Sequence, residues 1–180
     1  NKQGDAHLLL LGNTHRLLID AGSQGLGLLE FFKANQIKSL DQIVISHAHE
    51  DHYAGIYDLL EAKIKIGHVW INIPNKKVCD SEIPWGCNEK DLKNLLSKLD
   101  ASNVPHKVLK KGQILYKDAH SRLEVLYIYD TVHSNAPIPI TNTNDTSSII
   151  RLSIGKNSML FTGDLNEPLG EYLGKNARDL

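Results

Sequence analysis

Six consecutive residues, His47-Ala48-His49-Glu50-Asp51-His52, constrain this chain more than any others. Three imidazoles and two carboxylates follow directly on Gln42-Ile43-Val44-Ile45-Ser46, a short β-branched run that predicts a buried strand. Beyond them, Ile56, Leu59 and Leu60 predict a helix over residues 53–62. The cluster is therefore expected in a strand-to-helix loop, at the carboxyl end of a strand, where open α/β sheets place their sites. In an extended loop side chains alternate, so His47, His49 and Asp51 are expected to point one way. Asp51 and His52 then diverge, and one group of ligands can serve two neighbouring metal ions. A solvated polar loop is the plain alternative, but histidines interleaved with acids at a strand end suit a metal better than water.

Two further strand ends carry acids. Residues 6–11 and 16–19 flank the turn Gly12-Asn13 and predict a hairpin whose second strand runs into Asp20-Ala21-Gly22. Residues 148–154 and 158–162 predict another hairpin around Gly155-Lys156, ending in Gly163-Asp164. Three strands, ending at Asp20, His47 and Asp164, are thus expected to deliver polar groups at one end of the sheet. Clustered carboxylates and imidazoles are costly unless paired or bound to a cation. A cation such as zinc or manganese accounts for the whole set. Asp20 reads equally as a turn cap or as an acceptor holding the histidine loop. Asp164 reads also as a helix N-cap ahead of Glu167.

Between these strands the pattern predicts a helix over 28–36, a strand over 66–73 and an irregular segment over 74–86. A helix over Glu89–Ala101 follows, carrying Leu92, Leu95, Leu96 and Leu99, and then strands over 104–109 and 123–129. Residues 130–145 read as a long loop, of the kind that usually serves function. A chain of 180 residues is expected to form one domain with a real core. Its net charge of -1 gives no bulk case for nucleic-acid binding, although Lys107, Lys110 and Lys111 could form a local basic patch. No apolar run approaches the ~20 residues of a membrane span, and the N-terminus lacks the layout of a secretory signal. Cys79 and Cys87 can be paired or free, which leaves the redox compartment open.

The run His47-x-His49-x-Asp51-His52, with Leu18-Ile19-Asp20-Ala21-Gly22 before it and Phe161-Thr162-Gly163-Asp164 after it, resembles the metallo-β-lactamase superfamily. The resemblance spans nearly the whole chain. It implies an α/β fold, an αββα sandwich of two mixed β-sheets flanked by helices, as a single domain over 1–180 with its site at one edge. It also implies two divalent ions, zinc first and manganese or iron as alternatives. His47 and His49 would hold one ion and Asp51 and His52 the other, with Asp164 bridging and Asp20 behind the histidine loop. The expected nucleophile is hydroxide formed from a water between the ions. Asp51 is the expected catalytic group, orienting that water or passing its proton.

Two segments, Gln3-Gly4-Asp5-Ala6 and Asn144-Asp145-Thr146-Ser147-Ser148-Ile149-Ile150-Arg151-Leu152, narrow the resemblance. They are similar to the hydrolase domain of bacterial competence (DNA-uptake) channel proteins and to phosphorylcholine esterases. This implies a phosphodiester substrate, small or polymeric; from their position alone, Asn144 and Ser147 are expected to donate hydrogen bonds to a phosphate oxygen. It also implies an extracytoplasmic setting; without it a cytoplasmic one stays open. A nucleic-acid substrate is compatible with the resemblance but unsupported by charge. Competing expectations are β-lactam or thioester hydrolysis on the same fold, and a degenerate, non-catalytic metal-binding domain. Two departures stand out: the superfamily's third histidine is missing near Asn144, with only His133 upstream, and no histidine follows Asp164. With a first strand also missing, the expectation is a domain trimmed at both ends, lacking that strand and the C-terminal ligand segment.

Overall fold

The computed structural model describes residues 4–82, 86–129, 138–140 and 142–176. In chain order these form β1 (His7–Leu11), β2 (His15–Ile19), α1 (Leu28–Ala34), β3 (Ser39–Leu40), β4 (Gln42–Ile45), α2 (Glu50–Tyr53) and α3 (Gly55–Glu61). Then come β5 (Lys65–Ile66), β6 (Val69–Ile71), α4 (Lys76–Asp80), α5 (Glu89–Ala101), β7 (His106–Lys107), β8 (Ile114–Lys117) and β9 (Ser121–Tyr127). A 3-10 turn (Thr143–Thr146), β10 (Ile149–Ile154), β11 (Asn157–Phe161) and α6 (Glu167–Lys175) complete them.

Side chains that alternate along a strand serve two faces, and the core is built on that alternation. On β2, Leu18 faces the helices while Leu17 and Ile19 face the second sheet; on β4, Ile43 and Ile45 face the helices while Val44 faces the sheet. Strands therefore line up as β1-β2-β4-β6-β7, with β1 antiparallel to β2 and the rest parallel. Phe32 of α1, Ile56 and Leu59 of α3, and Leu92, Leu95 and Leu99 of α5 cover one face. The opposite face packs Leu17, Ile19 and Val44 against Leu123, Val125, Ile150 and Leu152 of the sheet β11-β10-β9-β8. Outside that sheet, α6 lays Leu169 and Leu173 on Leu126 and Ile149. The layers run helix, sheet, sheet, helix. Each fully buried Leu or Ile contributes about 1.5–3 kcal/mol of transfer free energy, and the inter-sheet layer holds many of them.

Several elements differ from the expectation, each for a visible reason. Only the first sheet is mixed; among the described residues the second is wholly antiparallel. The strand expected over 66–73 is two pieces, because β5 pairs with β3 and the chain steps across at Gly67 before β6 joins β4. The strand over 104–109 shrinks to His106–Lys107; beyond it the Leu109 N–H donates to Asn72 Oδ1 at 2.8 Å rather than to a neighbouring strand. The segment over 74–86, expected to be irregular, begins with α4, whose Asn75 cap accepts from the Val78 N–H at 3.1 Å. Strand β8 had no counterpart in the sequence reading. Of the long loop, residues 130–137, including His133, and residue 141 lie outside the described residues.

Candidate metal centre

The central strand β4 ends at Ile45, and Ser46 and His47 continue from it into the interior, 1% and 0% exposed. His49 is the last extended residue and stands at the N-terminus of α2. The extended-loop reading therefore needs correction: Glu50, Asp51 and His52 are already helical, the His52 N–H donating to the His49 carbonyl at 3.1 Å. This turn swings His52 inward, to a ring separation of 4.2 Å from His47.

Asp20 holds the other side of the loop. It follows β2 at a left-handed φ of 56° and is 1% exposed. Its Oδ1 accepts the Ser46 N–H at 2.7 Å, and its Oδ2 accepts the Ser46 hydroxyl at 2.8 Å and His52 Nδ1–H at 2.9 Å. A carboxylate can only accept, so the proton of His52 sits on Nδ1. Because Ser46 Oγ spends its proton on Asp20, His47 Nδ1, 3.0 Å away, must donate to it. His49 places Nε2 2.9 Å from Glu82 Oε2, which fixes its proton there in the same way.

The result is a set of lone pairs turned inward. His47 Nε2 and His49 Nδ1 lie 3.1 Å apart with no proton left for the space between them. Tetrahedral zinc with Zn–N near 2.0–2.1 Å separates its ligand nitrogens by about 3.3–3.4 Å. Two facing lone pairs repel unless a cation lies between or beyond them, so the donor set fits a divalent ion. His52 Nε2 faces Asp164 Oδ1 at 3.5 Å and Asp51 Oδ1 at 4.0 Å. Donor atoms of His47, His52 and Asp164 all fall within 4.8 Å of one another.

Electrostatics follow from this packing. Burial, reinforced by the neighbouring His52 and His49, drives the His47 pKa down to about 2, so it remains a neutral donor. Burial also works against charge on His52, but the Asp20 hydrogen bond and charge, then Asp164 and Asp51, outweigh it and lift the pKa to about 9. Glu82 is opposed by burial too, yet backbone N–H groups of Cys87 and Thr143 and the His49 ring hold it below the usual carboxylate range.

Asp164 reaches the site because Gly163 turns at a φ of 53°; a Cβ there would lie 2.8 Å from Ser46 Oγ and 2.9 Å from Ser147 Oγ. The cap of α6 is Asn166, so the capping alternative for Asp164 does not hold. Asn144 lies against the His47 ring, and its Oδ1 is buried without a well-formed hydrogen bond. Ser147 is fully buried under Gly163. Asp51 stands at the rim, its side chain 32% exposed, where a cleft of about 880 Å³ opens past His49, Glu50 and Asn88. That volume suits a small-molecule site. Cys79 and Cys87 form a disulfide. Sequence reasoning missed Glu82, and the one signal for it was its place between the two cysteines.

Residues 2–73 match the family model described as the metallo-beta-lactamase superfamily. Among solved structures, the metallo-beta-lactamase fold protein YhfI from Bacillus subtilis is 17% identical with a TM-score of 0.51, covering 90% of this chain and 55% of that one. Zn(2+)-bound PqqB from Methylobacterium extorquens is 12% identical with a TM-score of 0.54, covering 92% and 55%. BJP-1, a subclass B3 metallo-beta-lactamase of Bradyrhizobium japonicum, is 13% identical with a TM-score of 0.51, covering 96% and 66%. At such identities the likeness is one of fold, and the chain has the metallo-β-lactamase fold. It spans little more than half the length of YhfI and PqqB. No curated protein matches the chain.

Proposed function

We propose that the chain carries the centre of a metal-dependent hydrolase acting on phosphodiesters. The observation that carries this reading is the inward convergence of three imidazole nitrogens, each ring oriented by its own partner behind it, beside Asp51 and Asp164. His47 and His49, with the Asn144 carboxamide beside them, would hold one ion. His52, Asp51 and Asp164 would hold the second. Divalent ions in these positions, with zinc the first candidate, supply an acidified water and polarise a phosphoryl oxygen.

The chain's own residues do the rest. Asp51, at the rim of the cleft, would accept a proton from a water entering the site. Asp20 and Glu82 keep the histidine protons on the outer nitrogens, so donor geometry is ready before an ion arrives. Ser147 braces the turn that carries Asn144, and the Asn144 amide is available to a phosphate oxygen. The choice of a phosphodiester rests on the resemblance of residues 144–152 to those of phosphodiester-cleaving relatives. The disulfide is of a kind that persists in oxidising compartments, which supports an extracytoplasmic setting.

Elemental analysis of the purified protein, with bis(p-nitrophenyl) phosphate and nitrocefin turnover on the same sample, tests the reading. Two ions per chain with phosphodiester turnover is the expected outcome, and His49→Ala should lose both. Metal with nitrocefin turnover alone would move the substrate class to β-lactams. Full metal content and full rate in His49→Ala would sink the site.

A further inference from the structure

We propose that Glu82 is the positioning residue for His49, and that the Cys79–Cys87 disulfide braces it there. The inference rests on the metal-centre reading and deepens it, by asking what holds the partner of His49 in place. His47 and His52 take their partners from the ends of β2 and β4, inside the sheet framework. His49 does not. Its Nε2–H donates at 2.9 Å to a carboxylate from a loop outside both sheets. That bond leaves Nδ1 as the donor facing His47, and a carboxylate on the far nitrogen makes the near one a stronger ligand.

Glu82 is itself held from two directions. Its Oε2 also accepts the Cys87 N–H at 3.0 Å, and its Oε1 accepts the Thr143 N–H. The carboxylate thus ties His49, the disulfide-closed loop and the turn carrying Asn144 into one unit. Gly86, in the same loop, supplies a second and independent sign. It sits at a φ of 101°, and a Cβ there would lie 2.7 Å from Glu82 Oε2 and 3.1 Å from His49 Nε2. The backbone at Gly86 therefore lies directly over the Glu82–His49 bond and shields it. Cys79 and Cys87, joined to each other, close the loop that contains both residues. The side chains of His49 and Glu82 are only 16% and 10% exposed, so water competes poorly for the bond.

The test is chelator-competition measurement of Zn²⁺ affinity, with the visible spectrum of the Co²⁺-loaded protein, on wild type, Glu82→Gln, Gly86→Ala and the double variant Cys79→Ser, Cys87→Ser. Thermal unfolding of the metal-free proteins is followed in parallel. Loss of an outer partner weakens metal binding by about 10–100-fold. Glu82→Gln should show that loss together with an altered Co²⁺ spectrum. Gly86→Ala keeps the carboxylate but wedges the pair apart, so it should reproduce both changes and carry the test if Glu82→Gln fails to fold. The double cysteine variant should show a smaller loss in the same direction. Wild-type affinity and an unchanged spectrum in Glu82→Gln or Gly86→Ala, even with lowered thermal stability, would make Glu82 a merely structural tie and overturn the proposal while leaving the metal centre standing. A wild-type protein that binds neither ion would overturn the metal centre itself, and this proposal with it.

Discussion

Asp20 shows how much a single backbone position can decide. Its left-handed φ aims one carboxylate at the Ser46 backbone, the Ser46 hydroxyl and the His52 ring together. An amide in its place keeps the shape and tolerates the conformation, but turns an N–H toward at least one of those donors. Asp20→Asn should therefore cost roughly 1–3 kcal/mol in chemical denaturation and weaken Zn²⁺ binding about 10-fold or more. Asp20→Ala should cost roughly 1–2 kcal/mol beyond that, since a Cβ without a local hydrogen bond is disfavoured at positive φ. Unchanged denaturation midpoints in both variants would mean that the Asp20 bonds do not hold the loop. The residue was legible from the sequence as an acid at a strand end, but its partners were not. Adjacent residues say which strand a side chain leaves; only tertiary packing says which donors it meets.

Among elements, β9 and β10 carry an ion cluster where a sheet would ordinarily place apolar pairs. Glu124 stands opposite Arg151 across the ladder, is 6% exposed, and accepts from Arg122 Nε at 2.6 Å as well as from Arg151. Burial alone would raise its pKa, but the two guanidiniums hold it below the ordinary carboxylate range. A carboxylate with a depressed folded pKa stabilises the fold above the unfolded value and loses that contribution as the pH falls through the folded one. Both arginines are more than 40% exposed, so screening limits the effect to the order of 1 kcal/mol. Glu124→Gln should be less stable than wild type near neutrality, and the gap between the two stability curves should narrow as the pH falls below the ordinary carboxylate range. Parallel curves across that range would assign the cluster no role in acid stability. Periodicity exposed the long elements well: Leu92, Leu95 and Leu99 marked α5 end to end. It failed on β8, a four-residue strand with Ile114 and Lys117 exposed, and on α2, where four polar or aromatic residues give no apolar face to read.

Across the whole molecule, two strand-to-loop exits from one sheet and one from the other meet at a single edge. The sandwich itself was expected from the family resemblance, while the unbroken apolar runs Leu17-Leu18-Ile19 and Ile43-Val44-Ile45 are explained by a sheet covered on both faces. What covers each face was not legible, since an unbroken apolar run has no preferred side. Glu82 escaped notice for a related reason: its role depends on a disulfide and on the turn at Thr143, neither of which leaves a local pattern.

The order in which those exits occur along the chain has a further consequence. Asp20 and the histidine loop come from the first third of the sequence and can pair as soon as β2 and β4 do. Glu82 comes later, and Asp164 arrives only with the β10–β11 hairpin. A chain emerging from the ribosome therefore shelters its histidines well before it can close the centre around them. In refolding experiments, quenching of core fluorescence should precede the Co²⁺ absorption band, with docking of β10 and β11 as the step between. Simultaneous appearance of the two signals would mean that the sandwich and its metal centre form in one event.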